Sequence, residues 1–234
     1  MNEFPAMKKY FGETAAIYDA TRMRKATTQK DQATVENYLA KVPPGSSVLD
    51  IPAGTGRFIR FCLSRGLLYT GVDISPDMLE VARSKIPAVP TNVDLRVADA
   101  RALPFANDSF DYAIVVKFIK WLPGVDDLTF VLREIGRVTR KEMFVQIRTV
   151  QSSRPSRATR VARLLGHLPF MGAIARRLAA DARGGNYSEQ ELSYAISTSG
   201  LRIRSVVPAQ RPSKKKPTSD TRPRTRFYVL CKDE

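Results

Sequence analysis

Cysteine and histidine are scarce in this chain of 234 residues. Its two cysteines, Cys62 and Cys231, stand far apart, and the only histidine is His167. The sequence therefore has neither a disulfide framework nor a cysteine–histidine zinc motif, and we expect two reduced, buried thiols. No other cluster of metal-ligand residues is present, so we predict no metal cofactor.

Long apolar runs are also lacking. No stretch approaches the length that is needed to span a bilayer. The first residues, MNEFPAMKKYFGE, do not have the basic, apolar and small-residue regions of a signal peptide. These features predict a cytoplasmic protein, and the chain length favours one large domain over two small ones.

Acidic residues are sparse in one part of the chain only. Residues 148–226 contain 17 lysines and arginines but 4 aspartates and glutamates, whereas residues 1–147 contain 20 and 17. Most of the net charge of +15 therefore belongs to a single segment. Such an uneven distribution predicts one basic surface.

Short β-rich runs alternate with helical patterns between residues 47 and 147. The runs are mostly continuously apolar, which is typical of parallel strands that are buried on both faces. They read SVLDI, LLYTGVD, VDLRV, FDYAIVV and MFVQI. This alternation predicts an α/β fold with a doubly wound parallel sheet.

Capping signals delimit several of the helices. Ser75 and Pro76 begin one helix, which must end before Pro87. Ser188 and Glu191 form a capping-box pattern, and Gly200 closes that helix. Residues 1–45 are predicted to be helical, residues 151–187 to form two short basic amphipathic helices, and LRIRSVV and RFYVLCK to be two final strands.

Three aspartates follow three consecutive predicted strands. Asp50 ends the first strand, Asp73 the second and Asp99 the third, while Gly54 and Gly56 follow the first strand in a tight loop. The carboxyl ends of parallel strands meet at one edge of the sheet, so the three carboxylates are expected to converge there. Asp73 is suited to accept two ribose hydroxyl protons, and Asp99 to accept from an adenine amine.

At these residues the chain resembles the class I S-adenosylmethionine-dependent methyltransferases, and more closely the ubiquinone-biosynthesis type of small-molecule and lipid methyltransferase. The resemblance extends from about Tyr10 to Val150. It implies a Rossmann-like sheet of seven strands with the last one antiparallel, and S-adenosylmethionine as the cofactor. The expected single domain comprises an N-terminal helical cap (1–45), a cofactor-binding core (46–150), a basic helical lid (151–187) and a C-terminal helix with two strands (188–234).

The cofactor-binding residues that the resemblance implies follow the first four strands. They are Asp50, Ala53, Gly54 and Gly56 for the methionine part, Asp73 for the ribose, Ile74 and Met78 for packing on the nucleoside, Asp99 and Ala100 beside the adenine, and Val116 and Lys117 beneath the cofactor next to the acceptor pocket.

One residue departs from the pattern of the family. Pro52 stands where a glycine is usual in this loop. Proline fixes φ near −65° and has no backbone N–H, so this position must need neither a positive φ nor a donor to the ligand. We therefore expect Gly54 and Gly56 to provide the close approach to the cofactor.

Residues that touch the acceptor are harder to predict. Tyr18, Trp121, His167 and Tyr187 are predicted to line its pocket, and Phe11, Tyr18 and Arg22 to close over the cofactor. His167 and Lys117 are candidates for a catalytic base, although the sequence favours a partly exposed helix residue for His167 and a surface or cofactor-carboxylate role for Lys117. The absence of an Asn/Asp-Pro-Pro-aromatic motif and of a suitably placed cysteine argues against methylation of nucleic-acid bases.

Several functions remain compatible with the sequence. The basic segment could rest on anionic lipid at the inner face of the membrane, bind RNA phosphates, or face solvent only. We predict a methyltransferase that methylates a hydroxyl of a sugar, glycolipid, polysaccharide or other small anionic acceptor near the membrane. The alternatives are an RNA methyltransferase, a relative that binds the cofactor without turnover, and a dinucleotide enzyme, which fits less well because the loop lacks a third glycine.

Overall fold

An eight-stranded mixed sheet forms the frame of the structure. The computed structural model describes residues 25–86, 91–150, 185–208 and 224–233. The strands are β1 Ser47–Asp50, β2 Leu68–Asp73, β3 Val93–Val97, β4 Phe110–Val115, β5 Thr139–Val150, β6 Tyr187–Ser188, β7 Leu201–Pro208 and β8 Arg224–Lys232. Their order is β3-β2-β1-β4-β5-β8-β7, and β6 pairs with β5 outside this path.

Strand direction agrees with the prediction. Strands β1 to β5 are parallel, while β8 runs antiparallel to β5 and β7. The predicted Rossmann-like sheet with an antiparallel last strand is therefore confirmed, and β6 adds a short eighth strand. The sequence had Asp99 ending the third strand, but β3 ends two residues earlier, at Val97.

In the described part of the chain, five α-helices and one 3₁₀ turn accompany the strands. The helices are α1 Ala26–Leu39, α2 Ile59–Ser64, α3 Pro76–Ser84, α4 Val125–Val138 and α5 Glu189–Thr198, and the 3₁₀ turn is Ile119–Trp121. The predicted caps are confirmed. Ser75 Oγ accepts the Met78 N–H at 3.3 Å, and Ser188 and Glu191 form a reciprocal capping box.

Helices cover both faces of the sheet. The apolar residues of α4 and α5 belong to one core cluster, and those of α1, α2 and α3 to the other. One face of α4 is apolar and fully buried, and it comprises Leu128, Val131, Leu132, Ile135 and Val138. Burial of a side chain of this size contributes about 1.5–3 kcal/mol, so packing against the sheet fixes the helix in place.

The strand order reverses between β1 and β4. Along the chain, β1 is followed by β2 and β3 on one side, and then by β4 and β5 on the other. In sheets of this kind a crevice opens at the carboxyl ends of the strands where the order changes. The loops after β1 and β4 therefore begin at the position where a ligand site is expected.

The short strand β6 joins the chain to the carboxyl end of β5. Thr149 pairs with Tyr187, and Val150 pairs with Ser188, in parallel register. The Tyr187 hydroxyl donates to Leu122 O at 3.0 Å. The chain thus leaves β5 and returns to β6 at adjacent points of the sheet.

Several predicted segments lie outside the described residues. They are the helical cap before residue 25, the basic helices of residues 151–184, and the lysine- and arginine-rich connection at residues 209–223. Within the four described stretches, no helix combines the length and the apolar character that crossing a bilayer requires.

Candidate active site

A cavity lies at the carboxyl ends of β1, β2 and β4. Its space, including the part that opens to solvent, is about 1120 Å³. Ten of the residues predicted for the site line it: Ala53, Gly54, Asp73, Ile74, Met78, Asp99, Ala100, Val116, Lys117 and Trp121. The structure therefore brings together residues that span 69 positions of the sequence.

The loop after β1 is held against β2. The Ala53 N–H donates to Val72 O at 2.9 Å, and the Gly54 N–H donates to Asp73 Oδ2 at 2.8 Å. Gly54 has a φ of +54°, and a Cβ on it would meet nothing within 4 Å. Pro52 lines the cavity without a backbone donor, while Gly54 supplies a positive φ where the loop meets the cavity.

Gly56 has a different role from the one that the sequence suggested, because it does not line the cavity. Its φ is +71°, and a Cβ there would lie 2.5 Å from Ile59 Cδ1 and 2.9 Å from Ala82 Cβ. Glycine is therefore needed at this position for the close approach of the loop to Ile59 of α2 and Ala82 of α3.

We expect Gly56→Ala to lower the free energy of unfolding by about 3 kcal/mol, because it combines a left-handed backbone with an overpacked contact. Urea denaturation without ligand measures this loss. Gly54→Ala is the matched control, since it has the same sign of φ and open space around the new methyl group, and should lose about 1 kcal/mol. Equal losses in both variants would contradict the packing role of Gly56.

Asp73 connects the loop after β1 to the start of α3. Its Oδ2 accepts from the Gly54 N–H, and its Oδ1 accepts from the Ser75 N–H at 2.9 Å. The side chain is buried, which raises the pKa of the carboxyl above its usual value, although the backbone N–H donors act in the opposite direction. A carboxylate has about four acceptor positions, so Asp73 has capacity for further donors.

Asp50 does not line the cavity but is buried beneath the loop. The Tyr69 hydroxyl donates to its Oδ2 at 2.7 Å, while Oδ1 has no hydrogen-bond partner among the described residues. Burial raises the pKa of Asp50 to about 7, even though the hydrogen bond from Tyr69 lowers it. Asp50 therefore acts on the site only through the loop and the cavity floor.

Asp99 is held by a neighbouring arginine. The Arg101 side chain donates from Nε and Nη2 to the Asp99 oxygens at 2.5–3.0 Å, and the Arg101 N–H donates to Oδ1 at 2.9 Å. Burial raises the pKa of Asp99, but the hydrogen bonds and charge of Arg101 outweigh it, so the pKa is lowered overall. Asp99 is therefore an ionised acceptor with a fixed orientation.

Lys117 has an uncommon backbone conformation at the end of β4. Its φ is +61°, which for a residue with a side chain costs about 1–3 kcal/mol and is found mainly at ligand sites. Its N–H donates to Gln146 Oε1 at 3.0 Å. Its Nζ donates to Thr28 Oγ1 at 3.0 Å and lies 3.4 Å from Asp31 Oδ2.

The wall beyond Lys117 is aromatic. Phe118 and Trp121 line the cavity on this side, and Phe58 lines it next to the loop after β1. Tyr187, which was predicted to line the acceptor pocket, does not line this cavity because its ring is buried in the core and its hydroxyl donates to Leu122 O. Tyr18 and His167 lie outside the described residues.

Comparison with known proteins agrees with this geometry. Residues 49–145 match the family model of a methyltransferase domain. A demethylmenaquinone methyltransferase from Renibacterium salmoninarum is 34% identical over 132 residues, which cover 56% of this chain and 52% of that protein. A ubiquinone/menaquinone biosynthesis C-methyltransferase from Desulfotalea psychrophila is 35% identical over 144 residues, covering 59% of this chain and 55% of the relative.

A malonyl-[acyl-carrier protein] O-methyltransferase from Serratia marcescens is 30% identical over 135 residues, covering 58% of this chain and 49% of the relative. The chain thus spans about half the length of these curated relatives. Among solved structures, the magnesium protoporphyrin IX methyltransferase of Synechocystis PCC 6803 with bound S-adenosylmethionine is similar, with a TM-score of 0.64 and 13% identity over 100% of this chain and 98% of that one.

The fold and the position of the cavity define a Rossmann-like class of ligand-binding domain. Residues 49–145 match a methyltransferase domain, and this match agrees with the resemblance to the class I S-adenosylmethionine-dependent methyltransferases. S-adenosylmethionine is the cofactor of this class. No cluster of three potential metal ligands occurs among the described residues.

Proposed function

We propose that the protein transfers a methyl group from S-adenosylmethionine to a small-molecule acceptor. The observation that supports this most strongly is the alignment of Asp99, Asp73, the Gly54 loop and Lys117 along one cavity. When bound, the cofactor supplies a methyl group on a sulfonium, which is already activated for displacement. The protein then needs mainly to position the two reactants.

The lining residues fit this cofactor. Asp73 accepts the ribose hydroxyl protons in addition to its two backbone donors, because a carboxylate has the capacity for both. Asp99 and Ala100 flank the adenine, while Ile74 and Met78 pack on the nucleoside. The methionine part lies along the remaining residues, which are Ala53, Gly54, Val116 and Lys117, above the buried Asp50.

The acceptor has an apolar part and an ionisable oxygen. Phe118 and Trp121 offer an apolar wall, which suits a ring or an acyl chain better than a bare sugar. The curated relatives are named for menaquinone precursors and for malonyl-[acyl-carrier protein]. Of the acceptors that the sequence suggests, a glycolipid or another small lipid-like anion is therefore favoured over a free polysaccharide.

Transfer to oxygen requires loss of the acceptor proton. Lys117 is poorly suited to accept it, since its ammonium already donates to Thr28 and pairs with Asp31. Its positive charge instead serves the methionine part of the cofactor, which lies beside it in this proposal. A second candidate reaction is transfer to a ring carbon next to an acceptor oxygen, as the C-methyltransferase name of one relative suggests.

The whole chain acts as one domain in this proposal. Residues 1–45 and 151–187 are assigned to the same domain as the cofactor core 46–150, and the many basic residues of 151–187 suit a peripheral contact with the inner face of the membrane. Parts of the basic segment that are described, such as Arg204 and Arg226, form ion pairs with Glu142 and Glu189.

The test is transfer of labelled methyl by the purified protein into separated lipid, polysaccharide and RNA fractions of its own cells. We expect label in the lipid fraction and none with Asp73→Asn, whose cofactor site is impaired. Label in RNA would overturn the small-molecule acceptor and make the basic segment a phosphate-binding surface. If the protein binds S-adenosylhomocysteine but labels none of the fractions, the result would favour a protein that binds the cofactor without catalysing methyl transfer.

A further inference from the structure

Charges are separated along the cofactor cavity. The acidic residues that line it, Asp99 and Asp73, follow β3 and β2. The basic residues that line it, Arg57 and Lys117, follow β1 and β4. Since neighbouring strands lie about 4.8 Å apart, the ends of β2 and β4 are separated by two spacings, or about 10 Å. The cavity thus has an acidic end and a basic end.

A ligand that matches this distribution has hydroxyl and amine donors at one end and an anion at the other. The cofactor fits this distribution, since its nucleoside carries the donors and its amino-acid arm, which also carries an ammonium group, ends in a carboxylate. With the ribose at Asp73, the amino-acid arm extends across β1 toward β4. The basic residue at the end of β4 is Lys117.

The position of the Lys117 ammonium is fixed from two directions. Gln146, a buried residue of β5, accepts the Lys117 N–H and so holds the left-handed backbone that directs the side chain. Thr28 and Asp31 of α1, which are also buried, contact the ammonium itself. The lysine side chain is 20% exposed, so its charge is only weakly screened by solvent.

The other basic residue is placed differently. The Arg57 guanidinium carbon lies 4.5 Å from the centre of the Phe58 ring, and its charge lowers the pKa of the buried Asp50. Arg57 therefore stands over the loop and its floor, whereas Lys117 stands at the end of the cavity.

The geometry points to Lys117 as the residue that binds the carboxylate of the cofactor's amino-acid arm, with Thr28, Asp31 and Gln146 as its positioning residues. This inference rests on the proposed function, because it assumes that S-adenosylmethionine occupies the cavity. It makes α1 part of the cofactor site, through two side chains that lie more than 80 residues before Lys117 in the sequence.

Two ligands that differ in the amino-acid arm test the inference. S-adenosylhomocysteine has the carboxylate, while 5′-methylthioadenosine has the same nucleoside and sulfur without it. By calorimetry, we expect Lys117→Met to lower the affinity for S-adenosylhomocysteine about 10- to 100-fold, the worth of a charge-assisted hydrogen bond. Its affinity for 5′-methylthioadenosine should change less than about 3-fold, which corresponds to less than half the free energy of such a hydrogen bond.

Two lysine variants serve as controls. Lys117→Arg keeps a cation and should retain most of the affinity for S-adenosylhomocysteine. Lys120→Met removes a neighbouring lysine that lies over the Trp121 ring and does not line the cavity, so both affinities should stay unchanged. If Lys117→Met does not fold, Lys117→Gly removes the same ammonium at a position whose positive φ suits glycine.

Equal losses for the two ligands, or no loss for either, would overturn the carboxylate role of Lys117. An unmutated protein that binds neither ligand would overturn the proposed function and this inference with it. Asp73→Asn distinguishes a failure of the proposed function from a failure of the Lys117 assignment. It should weaken the binding of both ligands equally, because both contain the ribose.

Discussion

Asp73→Asn is expected to lower the affinity for S-adenosylhomocysteine by about 100-fold or more. The carboxylate accepts the N–H groups of Gly54 and Ser75 and, in the proposed complex, the ribose hydroxyls. An asparagine keeps one acceptor oxygen and turns an amide NH₂ toward one of these donors. The loss of two hydrogen bonds to a charged group corresponds to about 3 kcal/mol or more, which gives this factor.

Calorimetric titration measures the effect. Asp94→Asn is the matched control, since Asp94 is a half-exposed acid of β3 that pairs with the exposed Arg96 and does not line the cavity. It should bind the ligand as tightly as the unmutated protein. An unchanged affinity in Asp73→Asn would refute the assignment of the ribose site.

Asp50→Asn is expected to stabilise the ligand-free protein, most strongly above pH 7. Burial raises the pKa of Asp50 from 3.8 to about 7, so the folded protein holds a proton between these values that the unfolded chain has lost. Stability must therefore fall as the pH rises from 4 to 7, by up to about 1.4 kcal/mol per pH unit. Above pH 7 the full free-energy cost of burying the ionised Asp50 carboxylate, of the order of a few kcal/mol, remains.

The measurement is urea denaturation of both proteins at pH 5, 6 and 8. The gain from Asp50→Asn should be smallest at pH 5, larger at pH 6 and largest at pH 8. Tyr69→Phe should have the opposite effect at pH 8, because it removes the hydrogen bond that stabilises the ionised carboxylate. A gain that does not vary with pH would contradict the raised pKa of Asp50.

Much of the sheet could be predicted because its determinants are local in the sequence. The continuous apolar runs, the cap at Ser75 and the capping box at Ser188 each depend on residues a few positions apart. The convergence of Asp73 and Asp99 followed from the rule that parallel strands end at one edge. The end of β3 was misjudged by two residues, since an irregular turn at Asp99 and Ala102 follows the strand.

Other features of the site depend on contacts between distant parts of the chain. Nothing near Asp50 in the sequence indicates that Tyr69 of β2 lies against it and buries it. The left-handed backbone of Lys117 has no sequence signature, and the side chains that hold it come from α1 and β5. Gly56 could be recognised as a loop glycine, but its contacts with Ile59 and Ala82 depend on how α2 and α3 pack.

The pairing of β5 with β6 bears on how such an enzyme could acquire a new acceptor. Because Thr149 and Tyr187 are partners on adjacent strands, the intervening residues enter and leave the sheet at one place. Their number and sequence can vary without moving β5, β6 or the ends of β1 to β4. Evolution, or an engineer, can therefore exchange that segment as a cassette while the cofactor site stays intact.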